Sequence, residues 1–159
     1  MFRIGFGSDT HRLEKGRLLI LGGVRIESDF GAVGHSDADA LFHAVTDAIF
    51  GALAAGDIGS HFSDTDEKWK NADSLIFLEE AVRIMKEKKI LVVNVDSIIH
   101  LEKPKLRLHI DKMRENLARS LEIEIDCVNV KAKTGERVGI IGKGEAVKAE
   151  AVILLEKKL

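Results

Sequence analysis

Two imidazoles and a carboxylate stand where they could share one divalent ion. Asp9 and His11 follow Phe2 to Gly7, whose apolar alternation predicts a strand. Residues two apart in a strand project from the same face, so Asp9 and His11 would point together. His43 is the third member, inside the stretch Gly34-His35-Ser36-Asp37-Ala38-Asp39-Ala40-Leu41-Phe42-His43. Two histidines and one aspartate suit a catalytic zinc, or a similar divalent ion, held by three protein ligands with one position open. Most isolated Asp-x-His pairs are solvated or hydrogen-bonded surface groups, so the elements that position the trio have to decide.

The stretch before His43 reads as a polar loop entering a helix. Ser36 followed three residues later by Asp39 resembles a capping box, which predicts a helix start near Asp37. Phe42, Val45, Ile49 and Leu53 then form an apolar stripe, with His43 stacked between Asp39 and Asp47 on a polar face. The helix should serve the core on one side and a site on the other. Arg17–Leu21 and Val24–Ile26 read as short strands around Gly22-Gly23, Ser28–Gly34 as loop, and Ala54–Asp66 as a long polar loop of functional character. A second helix is expected from Asp73-Ser74 to Lys89, and a strand over Ile90–Leu101. After the break at Pro104 come a third helix over Leu106–Leu121, a strand over Val128–Ala132, a glycine-rich connection from Lys133 to Glu145 and a closing strand over Ala146–Leu155. This order predicts an α+β fold: one mixed sheet with helices on one face, the uncovered face calling for a partner.

Composition narrows the function classes. At 159 residues the chain is long enough for one domain, 1–159, with a real core. A net charge of −2 argues against general nucleic-acid or membrane binding, so any phosphate affinity must be local. The single cysteine, Cys127, rules out an intrachain disulfide and suits a reducing cytoplasm, and no apolar run approaches a membrane span. Neither Gly-x-Gly-x-x-Gly nor a P-loop lysine motif occurs.

Other polar groups have both a chemical and a plain reading. His35 could serve a site or a loop hydrogen bond, Asp57 a substrate or a turn, and Asp64-Thr65-Asp66 a pocket or a helix entry. Lys131, Lys133, Thr134, Glu136, Lys143 and Glu145 could surround phosphate or form a solvated face. Glycines 135, 139, 142 and 144 would allow close approach of backbone N–H groups to an anion or simply a flexible hairpin. His61, His100 and His109 read as surface or core-edge histidines.

Taken together, the motifs resemble the 2-C-methyl-D-erythritol 2,4-cyclodiphosphate synthase family along essentially the whole chain. They are Gly5-x-Gly7-x-Asp9-x-His11, Gly22-Gly23-Val24, His35-Ser36-Asp37-x-Asp39, Leu41-x-His43-Ala44-x-Thr46-Asp47-Ala48 and Gly56-Asp57-Ile58-Gly59. Phe62-x-Asp64-Thr65-Asp66, Ala72-Asp73-Ser74, Pro104-Lys105, Val128-Asn129-Val130-Lys131-Ala132 and Thr134-x-Glu136 follow in order.

The resemblance implies a cytoplasmic homotrimer of the non-mevalonate isoprenoid pathway, with active sites between subunits. The family converts 4-diphosphocytidyl-2-C-methyl-D-erythritol 2-phosphate to the cyclic diphosphate and CMP. By matching positions, Asp9, His11 and His43 would hold zinc, and Glu136 a second cation, magnesium or manganese. His35 and Thr134 would stabilise the transition state. Substrate contacts would come from Asp9, Thr10, His11, His35 and Ser36, from Asp57, Ile58 and Gly59 at the methylerythritol hydroxyls, and from Phe62, Ser63, Asp64, Thr65 and Asp66. Leu101, Glu102, Lys103, Pro104, Lys105, Leu106 and Arg107 would meet cytidine largely through backbone, while Lys133, Thr134, Gly135 and Glu136 would close over the diphosphate of a neighbour. Three positions depart from many members: Lys133-Thr134-Gly135 replaces a run of threonines, Ile140 a phenylalanine and Lys143 an arginine. In relatives the last two line a central cavity for isoprenoid diphosphates, so that ancillary binding should weaken here. A metal-dependent phosphohydrolase and a catalytically silent isoprenoid-binding trimer are the rival readings.

Overall fold

The computed structural model describes residues 1–63 and 65–158. Its centre is a five-stranded mixed sheet in the order β4-β1-β7-β5-β6. The strands are β1 (Phe2–Lys15), β4 (Phe30–Ala32), β5 (Ile90–His100), β6 (Val128–Lys133) and β7 (Ala146–Lys157). Only β5 and β6 run parallel; the other pairings are antiparallel. A separate hairpin, β2 (Leu19–Leu21) with β3 (Val24–Ile26), turns at Gly22-Gly23 as the sequence suggested. The expected single sheet is therefore accompanied by a two-stranded ribbon, and the loop expected over 28–34 contributes edge strand β4.

Helix α1 (Ala40–Leu53) lies directly on β1 because the facing positions are glycine. A Cβ on Gly5 would sit 1.8 Å from the Ala48 carbonyl oxygen, and one on Gly7 2.0 Å from that of Ala44. Two strand residues and one helical turn advance the chain by similar distances, about 6.7 and 5.4 Å. The match carries Ala48 over Gly5, Ala44 over Gly7, and His43 toward Asp9. The expected two-sided helix is corrected here: α1 is buried nearly all round, Phe42, Val45, Ile49 and Leu53 included, and His43 itself is only 9% exposed. Its start is also corrected. Asp39, not a residue near Asp37, is the N-cap, accepting the Leu41 and Phe42 N–H groups.

Helices α3 (Leu75–Glu87) and α4 (Ile110–Leu121) complete the helical layer, burying Leu78, Val82 and Met85 on one and Met113, Leu117 and Leu121 on the other. The polar segment after α1 contains a single-turn helix, α2 (Ile58–His61), and the glycine-rich connection contains another, α5 (Gly139–Gly142). Helix α4 starts four residues later than its apolar pattern suggested, because Leu106–His109 closes a turn first. Across the sheet, Phe2, Ile4, Phe6 and Val152 alternate outward and remain exposed.

Candidate metal centre and substrate site

The strand–helix match brings Asp9, His11 and His43 together at one end of β1. Asp9 Oδ2 lies 2.8 Å from both His11 Nε2 and His43 Nδ1, and the two ring nitrogens are 3.3 Å apart. Bonds of about 2.0–2.1 Å to a tetrahedral ion would put ligand atoms about 3.3 Å apart, so the corner fits zinc with a small outward adjustment. Both rings are fixed from behind. His11 Nδ1 donates to the Val33 carbonyl oxygen at 2.9 Å, leaving Nε2 toward Asp9. His43 Nε2 meets the Ser74 hydroxyl at 2.8 Å, leaving Nδ1 toward Asp9. Among the described residues this trio is the one cluster with metal-ligand geometry.

The electrostatics suit a cation. Burial raises the Asp9 carboxyl, but hydrogen bonds from His11 and His43 and their nearby charge outweigh it and hold Asp9 well below the usual carboxylate range. Burial lowers the His11 imidazole, but Asp9 more than reverses this and raises it. Two further aspartates shape the surroundings. Buried Asp39 receives the backbone N–H groups of Gly22 and Gly23 as well as those of α1, tying the β2–β3 hairpin to the helix. Burial pushes its carboxyl up to about 6, against those four hydrogen bonds. Asp47, raised by burial, accepts the Ile58 N–H at 2.7 Å and so fixes the 57–59 turn to α1.

The remaining candidate residues fall into two groups. The first surrounds the metal corner. His35 Nε2 donates to the Asp66 carbonyl oxygen at 3.0 Å, and the Ser36 hydroxyl is 3.2 Å from His43 Nε2. Asp57 caps α2 through Ser60 and is exposed beside Gly59, with Ile58 half-buried. Phe62 packs against Phe77, whose ring is 5.9 Å from His43, while Ser63, Thr65 and Thr10 are exposed. Asp64 lies outside the described residues.

The second group sits across the sheet. Leu101 N–H donates to the Lys133 carbonyl oxygen, and Gly135 N–H to Glu102, joining segments 101–107 and 133–136. Leu101 and Leu106 bury their side chains, so a ligand beside them would meet backbone, whereas Lys105 and Arg107 differ in being exposed on the same turn. Thr134 Oγ1 donates to exposed Glu136 at 2.6 Å; Lys103, Ile140 and Lys143 complete this side. Three strand spacings separate β1 from β6, about 14 Å, so Thr134 and Glu136 do not converge on the metal corner of their own chain.

The sequence pattern of the YgbB family matches residues 2–156. The chain belongs to that family. A YgbB-family relative, the 2-C-methyl-D-erythritol 2,4-cyclodiphosphate synthase of Fusobacterium nucleatum, is 54% identical over 158 residues, 99% of each chain. The bifunctional IspDF of Campylobacter jejuni superimposes with a TM-score of 0.95 at 37% identity; the match covers 99% of this chain and 43% of that longer one. A solved 2C-methyl-D-erythritol-2,4-cyclodiphosphate synthase in its CDP-bound form is 40% identical with a TM-score of 0.90, covering 97% of this chain and all of its own. Asp37, Asp47 and Ser74 carry no site role in the sequence pattern, Ser74 standing there only as part of a helix cap, although all three lie in the motifs that carry the family likeness. The usable signal was in Ala72-Asp73-Ser74, where a serine follows an aspartate equally able to cap the helix.

Proposed function

We propose that the chain converts 4-diphosphocytidyl-2-C-methyl-D-erythritol 2-phosphate to 2-C-methyl-D-erythritol 2,4-cyclodiphosphate and CMP, as a phosphorus–oxygen lyase of the non-mevalonate isoprenoid pathway. The observation that carries the reading is the convergence of Asp9, His11 and His43 in a chain of this family. An oxygen of the substrate's own 2-phosphate bonds to the β-phosphorus, and the bond from that phosphorus to the α-phosphate oxygen breaks, releasing CMP. The nucleophile is already anionic, so the obstacle is charge repulsion and alignment rather than proton removal.

A zinc ion on Asp9, His11 and His43 would supply positive charge where phosphate oxygens crowd together. Glu136 offers one exposed carboxylate, which with substrate oxygens suits magnesium or manganese. His35 and Ser36 stand beside the corner to receive a phosphate. Asp57, Ile58 and Gly59 hold the methylerythritol end, Phe62 forms an apolar wall, and the backbone of 101–107 holds cytidine. Thr134 orients the diphosphate from a neighbouring subunit.

The homotrimer and its shared sites are part of this proposal. Support comes from the exposed Phe2, Ile4 and Phe6 on the open sheet face, and from the about 14 Å between β1, which carries Asp9 and His11, and β6, which leads into Thr134. We read the whole chain, 1–159, as one synthase domain working in the cytoplasm; among the described residues no helix is long and apolar enough to cross a membrane. Phosphorus NMR of the cytidyl substrate with protein, zinc and magnesium is the test. The cyclic diphosphate and CMP support the reading, and release of free phosphate would replace it with hydrolysis.

A further inference from the structure

We propose that Ser74 and Asp37 are positioning residues that lock His43 as a metal ligand through Nδ1. The inference rests on the reading of Asp9, His11 and His43 as a metal centre. Ser74 is fully buried at the N-cap of α3, where a serine hydroxyl ordinarily accepts a backbone N–H of the first turn. It makes no such bond. Asp73 serves the helix end instead, accepting the Leu75 N–H at 2.9 Å. The Ser74 hydroxyl points the other way, to His43 Nε2 at 2.8 Å and to Asp37 Oδ1.

The donor count fixes the direction of this chain. Both Asp37 oxygens act as acceptors, Oδ1 from Ser74 Oγ and the Asp39 N–H, Oδ2 from the Ser74 N–H. A hydroxyl has one hydrogen, and Ser74 gives it to Asp37. Its lone pairs then face His43, so His43 Nε2 must be the protonated nitrogen. Nδ1, which shares a proton with Asp9 Oδ2 at 2.8 Å in the metal-free protein, is then the nitrogen left for a metal to take. Ser36 Oγ, 3.2 Å from the same Nε2 and 3.4 Å from Ser74 Oγ, closes the back of the ring without changing that count. His11 needs no such relay, because a backbone carbonyl orients it.

Outer partners of ligating histidines generally contribute tenfold to a hundredfold in metal affinity. Zinc affinity is measured by chelator competition on the full-length protein without substrate, together with unfolding of the metal-free protein. We expect Ser74→Ala to weaken zinc about 10–100-fold, Ser74→Thr to restore most of that loss, and Asp37→Asn to add little once Ser74 is alanine. Nitrogen-15 NMR of the zinc-loaded wild-type ring should place the proton on His43 Nε2 and the metal on Nδ1. Unchanged affinity in Ser74→Ala with a lowered unfolding temperature would make Ser74 merely structural and overturn the relay. So would metal on Nε2, or no zinc binding by the wild-type protein. Because substrate is absent, a protein that shows the relay yet makes no cyclic product would refute the proposed reaction and leave the relay standing.

Discussion

The metal corner and the Thr134 loop are built in opposite ways. Asp9, His11 and His43 are half-buried to buried, held by a strand, a central helix and backing hydrogen bonds, and the trio is complete within one chain. Thr134 and Glu136 stand on an exposed turn at the far sheet edge, where each is the other's hydrogen-bond partner. Glu136 and Arg137 there adopt positive φ values of 50° and 64°, a conformation costly for residues with a Cβ. The difference teaches that the candidate metal corner is preassembled by folding, whereas the second cation site proposed at Glu136 offers a single carboxylate awaiting company.

The largest effect is expected where the preassembled corner depends on backbone contact. Gly7→Ala places a Cβ 2.0 Å from the Ala44 carbonyl oxygen, and neither β1 nor α1 can yield locally without lifting His43 off Asp9. We expect a loss above about 4 kcal/mol, the range of severe core lesions, seen as failure to fold or a large fall in unfolding temperature. A Gly7→Ala protein of near-normal stability with normal zinc affinity would show that α1 is not held at this distance. His43→Ala comes next. It removes one of three ligands and leaves the stripe of Phe42, Val45 and Ile49 in place, so stoichiometric zinc and activity should disappear while assembly persists. Full zinc occupancy by elemental analysis would count against the trio.

How far these two regions could be read from sequence differs for the same reason. Asp9, His11 and His43 were legible because strand and helix periodicity each place side chains by simple arithmetic. The cap of α1 was misread because Ser36 and Asp39 are both good capping residues; only the fold shows that the Ser36 hydroxyl turns to Ala38 N–H and His43 while Asp39 gathers four backbone donors. Strand β4 was missed since three residues carry almost no periodic signal and, unlike β2 and β3, no paired-glycine turn marks them; its Gly31 is set by the approach of the Leu18 carbonyl, a tertiary contact. The role of Ser74 was hidden behind its plausibility as a cap. For Thr134 no within-chain arithmetic could name the metal corner it is proposed to serve, because the sheet carries β1 and β6 apart.

The exposed side is tested by mixing. If Thr134 completes a neighbour's site, Asp9→Asn and Thr134→Ala chains are each inactive alone but complementary together. In randomly mixed trimers at equal amounts, each site draws its Asp9 and its Thr134 from two chains independently. About a quarter of sites would then be intact, and activity near a quarter of wild type is expected. Full exchange, proven by mass spectrometry, with no recovery would put both residues in one chain's site.

The smallest effect concerns protons at the preassembled corner. In metal-free protein the Asp9 carboxyl is held below its ordinary 3.8, burial notwithstanding, by His11 and His43, and the His11 imidazole is raised above its ordinary 6.5 by Asp9 despite burial. The two shifts act in opposite directions along the pH scale. A depressed carboxylate stabilises the fold above its unfolded value, and that contribution is lost as pH falls through the folded one. A raised histidine stabilises below its unfolded value, and the contribution fades as pH rises through the folded one. Both are therefore fully present between about pH 4 and 6.5. Asp9→Asn should lower the unfolding temperature of metal-free protein most in that window, with the gap narrowing on the alkaline side as His11 loses its proton. Zinc needs that same proton gone, so its affinity should decline with acidification beginning above pH 6.5, and calorimetry in two buffers of different ionisation enthalpy should register proton release on binding. An Asp9→Asn gap that is flat with pH, or zinc binding without proton release at pH 6.5, would mean that the corner stands open and neutral rather than held together by its own charges until the metal arrives.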